Sequence, residues 1–347
     1  MKGTLAVLGT LGGRPAAALV TDGALQELLV AQDPPAPEAI LRGKLGRPVK
    51  GIGGAFVELP DGQRGFLRQP KGLRPGAPVL VQVAGVAEPG KAVPLTDRLL
   101  FKGRLAILTP GAPGVNVSRA LRDEDSRAAL AAAAEAAVAG APVELGAILR
   151  TAAEAADPAC VAAEIAELRG AAEEVLGAAS GSPALLRAAP GPHEIALRDW
   201  PAADTLVEAP DAFVTSGVDG QVAALLEPEV ALPGGARMTI EPTRALVAVD
   251  VDTGADTTPA AGLKASLAAA RQLPRQLRLR GLGGQITVDF APIPKRDRGT
   301  LEQALRAALK RDGAAMTAVG WTPLGHFELQ RRRDRAALAL LIGGALP

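Results

Sequence analysis

The chain has 347 residues, 48% hydrophobic and 22% charged. That gives room for about two to three domains and excludes a disordered tail protein. Lys and Arg number 38 against 37 Asp and Glu, a net charge of +1, so bulk charge selects no partner. A single cysteine, Cys160, excludes a disulfide framework and any multi-cysteine zinc site, and fits a reducing compartment.

The N-terminal MKGTLAVLGTLGGRPAAALV places Lys2 before an apolar stretch, as a signal peptide does. Glycines and Arg14 interrupt it and no polar cleavage region follows, so strands are expected, with a turn at Asp22-Gly23 and a break at Pro34-Pro35. No membrane span is expected. Residues 128–149 are mostly alanine and carry Glu135 and Glu144, and residues 336–347 are too few to cross.

Residues 36–97 read as a dense succession of short strands at 40–45, 55–59, 64–67 and 79–83, separated by Gly- and Pro-rich turns. That pattern predicts a small barrel or sandwich. Residues 36–106 carry 12 basic and 5 acidic side chains. Phe56 and Phe66, two of only six phenylalanines, fall on one hairpin near Arg64, Arg68 and Lys71. Aromatics beside cations suit single-stranded nucleic acid, because bases stack and phosphates pair with positive charge. The alternative is that both rings are core.

Residues 107–261 are acidic, with 23 acidic against 9 basic side chains. A helix is predicted over 122–139, a strand over 143–149 ending at Arg150-Thr151, and a second helix over 158–179 with Asp157 as N-cap and Pro158 in its first turn. Residues 180–226 carry little signal beyond a helix near Gln221.

EVALPGGARMTIEP then reads as a hairpin turning at Pro233-Gly234-Gly235. In the run ALVAVDVDTG, Val247, Val249 and Val251 share one strand face, so Asp250 and Asp252 share the other. Their carboxylates are expected roughly 6–7 Å apart. Asp is depleted in strands, and two on one face are best tolerated beside a cation. A second strand, GGQITVDF, ends near Asp289, and a helix over 262–280 joins the two so that the acids converge at the sheet edge. Oxygen-only ligands suit Mg²⁺ or Mn²⁺ rather than zinc. The joining helix carries Lys264, Arg271, Arg275, Arg278 and Arg280 and no acid, which favours a polyphosphate substrate, and Pro274 is expected to kink it. A last helix is predicted over 300–311, and residues 262–335 carry 15 basic against 6 acidic side chains.

Three other readings fit these acids: a strand end facing water, a haloacid dehalogenase-type phosphatase, and an Asp-x-Asp sugar-nucleotide site. The phosphatase signature needs threonine where Gly254 stands; Thr253 comes one residue early. His193 and His326 match no metal or triad spacing, and structural roles are expected for both.

ALVAVDVDTG and RQLRLRGLGGQITVDF resemble the ribonuclease E/G family, with LPGGARMTIEPTRAL as the preceding hairpin. GKLGRPVKGIGGAFVELPDGQRGFL resembles its S1-type barrel, and FKGRLAILTP with VNVSRAL its 5′-sensor segment. The resemblance implies an α+β multidomain chain. An RNase H-like domain is split between residues 1–35 and 179–225, around an S1-type OB-fold barrel at 36–97 and a 5′-sensor segment at 98–178. A DNase I-like catalytic domain follows at 226–347.

It further implies a cytoplasmic, Mg²⁺-dependent endoribonuclease (Mn²⁺ being the substitute) that hydrolyses single-stranded RNA and favours 5′-monophosphorylated ends. The alternative is an RNA-binding protein of the same architecture with weak or lost catalysis. Asp250 and Asp289 would ligate the metal, and Asp252 completes the catalytic set where the family usually has a supporting asparagine. Phe56, Phe66, Lys71, Arg278 and Arg280 would contact RNA. Gly103, Ile107, Arg150 and Thr151 match positions that recognise the 5′-phosphate. The zinc-link cysteine pair is missing, so no zinc is expected and a monomer or weak oligomer is implied. The family's Asn-Leu-Glu-Ala-Ala in the joining helix is here Ser266-Leu267-Ala268-Ala269-Ala270, and Ala291-Pro292-Ile293-Pro294 replaces the usual polar continuation.

Overall fold

The structure is a computed structural model that describes residues 2–49, 51–70, 72–88, 90–141, 143–258, 260–312 and 316–343. The chain divides into two compact units, residues 1–32 with 203–347, and residues 33–202.

In the first unit, strands Thr4–Leu11, Arg14–Thr21 and Ala24–Val30 form an antiparallel meander, and Thr205–Glu208 adds parallel to the first of them. The Asp204 carboxylate fixes that addition, accepting hydrogen bonds from the Thr4 N–H at 2.7 Å and the Thr4 hydroxyl at 2.9 Å. The second sheet has six strands in the order Glu229–Ala231, Arg237–Pro242, Val247–Asp252, Gly284–Asp289, Phe327–Arg331 and Met316–Trp321. Val247–Asp252 and Gly284–Asp289 run parallel, which demands a crossover, and helix Ala261–Leu279 supplies it.

One face of this sheet is dry. Val247, Val249, Val251, Ile286, Val288, Phe327 and Leu329 pack there against Ala269, Leu273, Leu277, Leu301 and Leu305 of helices Ala261–Leu279 and Arg298–Asp312. The period of two therefore sends Asp250, Asp252 and Asp289 to the opposite, exposed face. Helix Ala261–Leu279 runs on through Pro274, whose neighbours Leu273 and Leu277 are fully buried. Packing on both sides of the proline sustains the helix across the missing N–H.

In the second unit, strands Ile40–Val49, Gly54–Glu58, Arg64–Arg68, Val93–Thr96 and Pro78–Val83 pair in that order, and Pro78–Val83 pairs back onto Ile40–Val49. This is a closed five-stranded OB-like barrel, filled by residues such as Leu41, Val57, Leu67 and Val81. Beside it in sequence, strands Phe101–Lys102, Ala106–Pro110, Leu145–Leu149 and Gly114–Val117 form a small sheet. Helices Glu124–Val138 and Pro158–Gly177 share its core through Leu130, Ile165 and Leu168. The expected Asp157 cap forms, and Asp123 caps the first of these helices as well. Asp123 accepts from the Ser126 N–H at 2.8 Å and Asp157 from the Ala159 N–H at 2.7 Å.

The expected piece 179–225 is not one structural block. Strand Ala184–Arg187 pairs with Ile40–Val49 of the barrel and helix Pro192–Asp199 follows within the second unit, whereas Thr205–Glu208 completes the N-terminal sheet of the first. Its short elements owe their places to long-range strand pairing, which leaves no local periodicity to read.

Candidate functional site

The carboxylate site is built by register. Asp250 and Asp289 are Cα partners on the two parallel strands, which puts them about 4.8 Å apart across the sheet. Both project from the exposed face, and Asp289 is 63% exposed. Among the described residues, neither carboxylate has a Lys or Arg partner. Like charges placed opposite each other on one sheet face are destabilising, so the pair persists against a local cost.

Asp252, two residues further along the same face, has a different contact. Its Oδ1 accepts a hydrogen bond from the Gly254 N–H. Gly254 has φ +65°, and a Cβ there would meet the Gly235 carbonyl oxygen at 2.2 Å, so the turn after the strand requires glycine. Asp252 thus holds the loop that ends the motif.

The structure adds a residue that spacing does not reveal. Val288 pairs with Phe327 across the antiparallel Gly284–Asp289 and Phe327–Arg331 strands, which sets His326 opposite Asp289. The His326 Nε2 lies 3.8 Å from Asp289 Oδ2, and the imidazole is 37% exposed. The hairpin turn fixes it: the His326 N–H donates to the Thr322 hydroxyl at 3.1 Å, and its carbonyl accepts from the Thr322 N–H at 2.8 Å. Strand pairing, not chain distance, brings His326 beside Asp289.

The donor set suits a hard divalent cation. Mg²⁺ is commonly held by one or two carboxylates with water and substrate phosphates completing its shell, and Asp250 and Asp289 offer such a pair on an open face. Among the described residues, no group of three His, Cys, Asp or Glu side chains is placed to hold a metal ion.

The arginines expected to line this site do not. Helix Ala261–Leu279 covers the dry face of the sheet, away from the acids. Arg278 is 12% exposed, forms an ion pair with Glu27, donates to the Gln26 carbonyl at 2.7 Å and binds Asp312 through Nε at 2.9 Å. Arg280, 5% exposed, donates to the Gln276 side chain and to the Glu227 carbonyl at 2.9 Å, and burial lowers its pKa to about 10. Arg275 reaches the Leu25 carbonyl at 3.0 Å. These guanidiniums satisfy protein oxygens, so the expectation that Arg278 and Arg280 contact RNA is corrected.

On the barrel, Phe56 and Phe66 are cross-strand partners on Gly54–Glu58 and Arg64–Arg68. Their rings meet edge to face with centroids 5.5 Å apart, and the Arg64 guanidinium lies over the Phe56 ring at 4.3 Å. Both rings are half-buried rather than core. Gly54 makes room for Phe66, since a Cβ there would lie 2.4 Å from the ring. Lys71 lies outside the described residues.

In the small sheet, Arg150 follows strand Leu145–Leu149. Its Nη1 donates to the Gly103 carbonyl at 2.6 Å and pairs with Asp199 Oδ1 at 2.8 Å. The Thr151 hydroxyl is 3.2 Å from the Ser118 hydroxyl. Ile107 pairs with Lys102 and Ile148 on the half-exposed side of the sheet. The Gly103 loop is clamped from below, where the Glu164 carboxylate accepts from the N–H groups of Arg104, Leu105 and Ala106 at 3.1, 2.8 and 2.9 Å. Any side chain at 103 would strike that carboxylate, its Cβ falling 2.2 Å from the Glu164 oxygen. The structure thus brings Gly103, Arg150 and Thr151 together and leaves Ile107 beside them.

No helix among the described residues is long and apolar enough to cross a membrane. Comparison with known proteins gives two kinds of match. Residues 101–207 and 202–334 match the profile of the Ribonuclease E/G family. The chain is 29% identical to Ribonuclease E of Nostoc sp. over 95% of its own length and 56% of that relative. It is 28% identical to Ribonuclease E of Synechocystis sp. over 93% of its length and 56% of the relative. It is also 32% identical to Ribonuclease G of Salmonella typhimurium, over 38% of its length and 28% of the relative. The chain thus spans about half the length of the relatives it matches from end to end. A profile match across most of the chain, over the segments that carry the paired aspartates and the Arg150 turn, establishes that this chain belongs to the ribonuclease E/G family.

Proposed function

We propose that the chain is an endoribonuclease of RNA processing in the cytoplasm that hydrolyses phosphodiester bonds in single-stranded RNA with Mg²⁺, or Mn²⁺ in its place, and favours 5′-monophosphorylated ends. The observation that carries this reading is the register pairing of Asp250 with Asp289 on an open sheet face, without a Lys or Arg partner among the described residues. The six-stranded sheet with its helices takes the part of the DNase I-like catalytic domain. The N-terminal meander with Thr205–Glu208 takes that of the split RNase H-like domain.

Asp250 and Asp289 would hold the cation, which when bound polarises a phosphodiester and lowers the pKa of a water. Their own part is to fix its position: strand pairing keeps both carboxylates on one face without ordering long side chains. Asp252 orders the loop at the rim through the Gly254 N–H. The Phe56–Phe66 pair with Arg64 offers stacking surface and charge for unpaired bases. Arg150 presents a guanidinium held on one side by Gly103 and Asp199, beside the Thr151 hydroxyl. That is the chemistry a terminal phosphate requires.

The test is incubation of the purified chain with 5′-monophosphorylated, A/U-rich single-stranded RNA and Mg²⁺. Wild type is expected to cut internally and Asp289→Asn to lose cutting. Equal cleavage by both would discard the site. Salt-sensitive RNA binding without Mg²⁺-dependent cutting would identify an RNA-binding protein instead.

A further inference from the structure

We propose that Arg298, stacked on Trp321, binds a backbone phosphate of the RNA strand beside the carboxylate pair. The inference rests on the reading that Asp250 and Asp289 mark the cutting site, and it adds an anion-binding residue at that end of the sheet.

The platform is rigid. Trp321 ends strand Met316–Trp321 and pairs with Phe327 across the hairpin. Its ring meets the fully buried Phe327 edge to face at 5.2 Å and lies 6.1 Å from Phe290, the residue after Asp289. Two neighbouring rings therefore fix the indole. Arg298 opens helix Arg298–Asp312 and lays its guanidinium over that indole, 4.5 Å from the ring centroid. Attraction to the ring face holds the cation in place without neutralising it.

The charge is unspent. Arg278 and Arg280 give their donors to protein oxygens. Arg298 does not: its Nε is buried without a hydrogen-bond partner, and no carboxylate or carbonyl binds its other nitrogens among the described residues. A half-buried cation kept without an acceptor carries a desolvation cost, which an anion from outside offsets. Lys295 and Arg296 are exposed beside it, so residues 295–298 set three cations against Asp297 alone.

The location ties this cation to the acids. A Cβ on Gly325 would stand 3.3 Å from Arg298 Nη2. The next residue in that turn is His326, whose Nε2 lies 3.8 Å from Asp289 Oδ2. The guanidinium thus rests against the turn that borders Asp289. Because it covers one face of the indole, it favours a phosphate over a stacked base, and its planar fork matches phosphate oxygens.

The experiment uses indole emission. The sequence contains two tryptophans, Trp200 and Trp321, so Trp200→Phe leaves Trp321 as the single reporter in the full chain. This chain is mixed with single-stranded RNA and Mg²⁺ by stopped flow, so that binding is read before cutting, and anisotropy of a labelled RNA reads total affinity. A saturable change in Trp321 emission is expected. Arg298→Gln in the same background should lose that change and lower the slope of log affinity against log salt by about 0.7, whereas Arg298→Lys should keep the slope. Circular dichroism checks the fold. Should Arg298→Gln fail to fold, a scan of single neutral methylphosphonate linkages in the RNA serves instead: one linkage beside the cut bond should abolish the emission change in the Trp200→Phe chain. Bound RNA with unmoved emission, a response that survives Arg298→Gln, or one that depends on no single linkage overturns the inference. Cutting by Asp289→Asn tests the acids and does not enter this readout, so the two readings fail separately.

Discussion

Arg150 and Asp199 form an ion pair of 2.8 Å that joins the turn after strand Leu145–Leu149 to the end of helix Pro192–Asp199. The pair is one link in a longer chain. Arg198 grips Asp199 at 2.8 Å and Glu38 at 2.8 Å, and Lys102 closes on Glu38 at 2.8 Å. With one guanidinium nitrogen fixed by Asp199 and Gly103, Arg150 is oriented before any ligand arrives, and orientation is what a bidentate phosphate contact needs.

Asp199→Asn is therefore expected to reduce the proposed preference for 5′-monophosphorylated over 5′-hydroxyl RNA several-fold, chiefly through KM, and Arg150→Ala to abolish it. Competition cleavage of the two RNAs reads this directly. An unchanged preference in Asp199→Asn would show that Asp199 does not position Arg150.

The same network predicts an acid transition. Burial works against the charge of Glu38, but hydrogen bonds and charge from Arg198 and Lys102 outweigh it and hold its carboxyl below the ordinary 4.5. Burial likewise opposes Asp199, and Arg198 and Arg150 outweigh it, holding it below the ordinary 3.8. A lowered folded pKa means that stability is present above the unfolded value and is lost as pH falls through the folded one. Glu38→Gln is expected to cost on the order of 1–2 kcal/mol at pH 7, or about 2–8 °C in Tm. The difference from wild type should shrink as pH falls below the ordinary 4.5 and the native carboxyl takes up its proton. Thermal melts between pH 3 and 7 check this.

Arg278→Ala should act on folding and not on RNA. It leaves Asp312, whose side chain is 5% exposed, without its guanidinium partner. Removing one member of a buried pair costs about 3–5 kcal/mol. Denaturant unfolding should show that loss, while the salt slope of RNA binding stays as in wild type.

On the barrel, Phe56→Ala is expected to weaken single-stranded RNA binding by about 1–3 kcal/mol per stacked base lost. Arg64→Gln should lower the slope of log affinity against log salt by about 0.7. Filter binding across a salt series separates the two. Phe66→Ala should also lower barrel stability, because Phe66 packs over Gly54.

Periodicity and turn chemistry, read from the sequence alone, determined four of the five barrel strands, the helix capped by Asp157, the Pro233–Gly235 turn and the placing of Asp250 and Asp252 on one face, since each is a local consequence of backbone geometry, whereas Val93–Thr96 was not read. The resemblance carried by two blocks of the chain pointed to the family. Tertiary structure alone decided which charges are free. Arg278 and Arg280 read as a basic surface, but helix Ala261–Leu279 turns them toward protein oxygens. His326 carries no signal by spacing, but antiparallel pairing delivers it to Asp289. Strand alternation is encoded within a few residues, whereas the partner of a long side chain depends on elements tens to hundreds of residues away, and one sequence does not state which of them will meet.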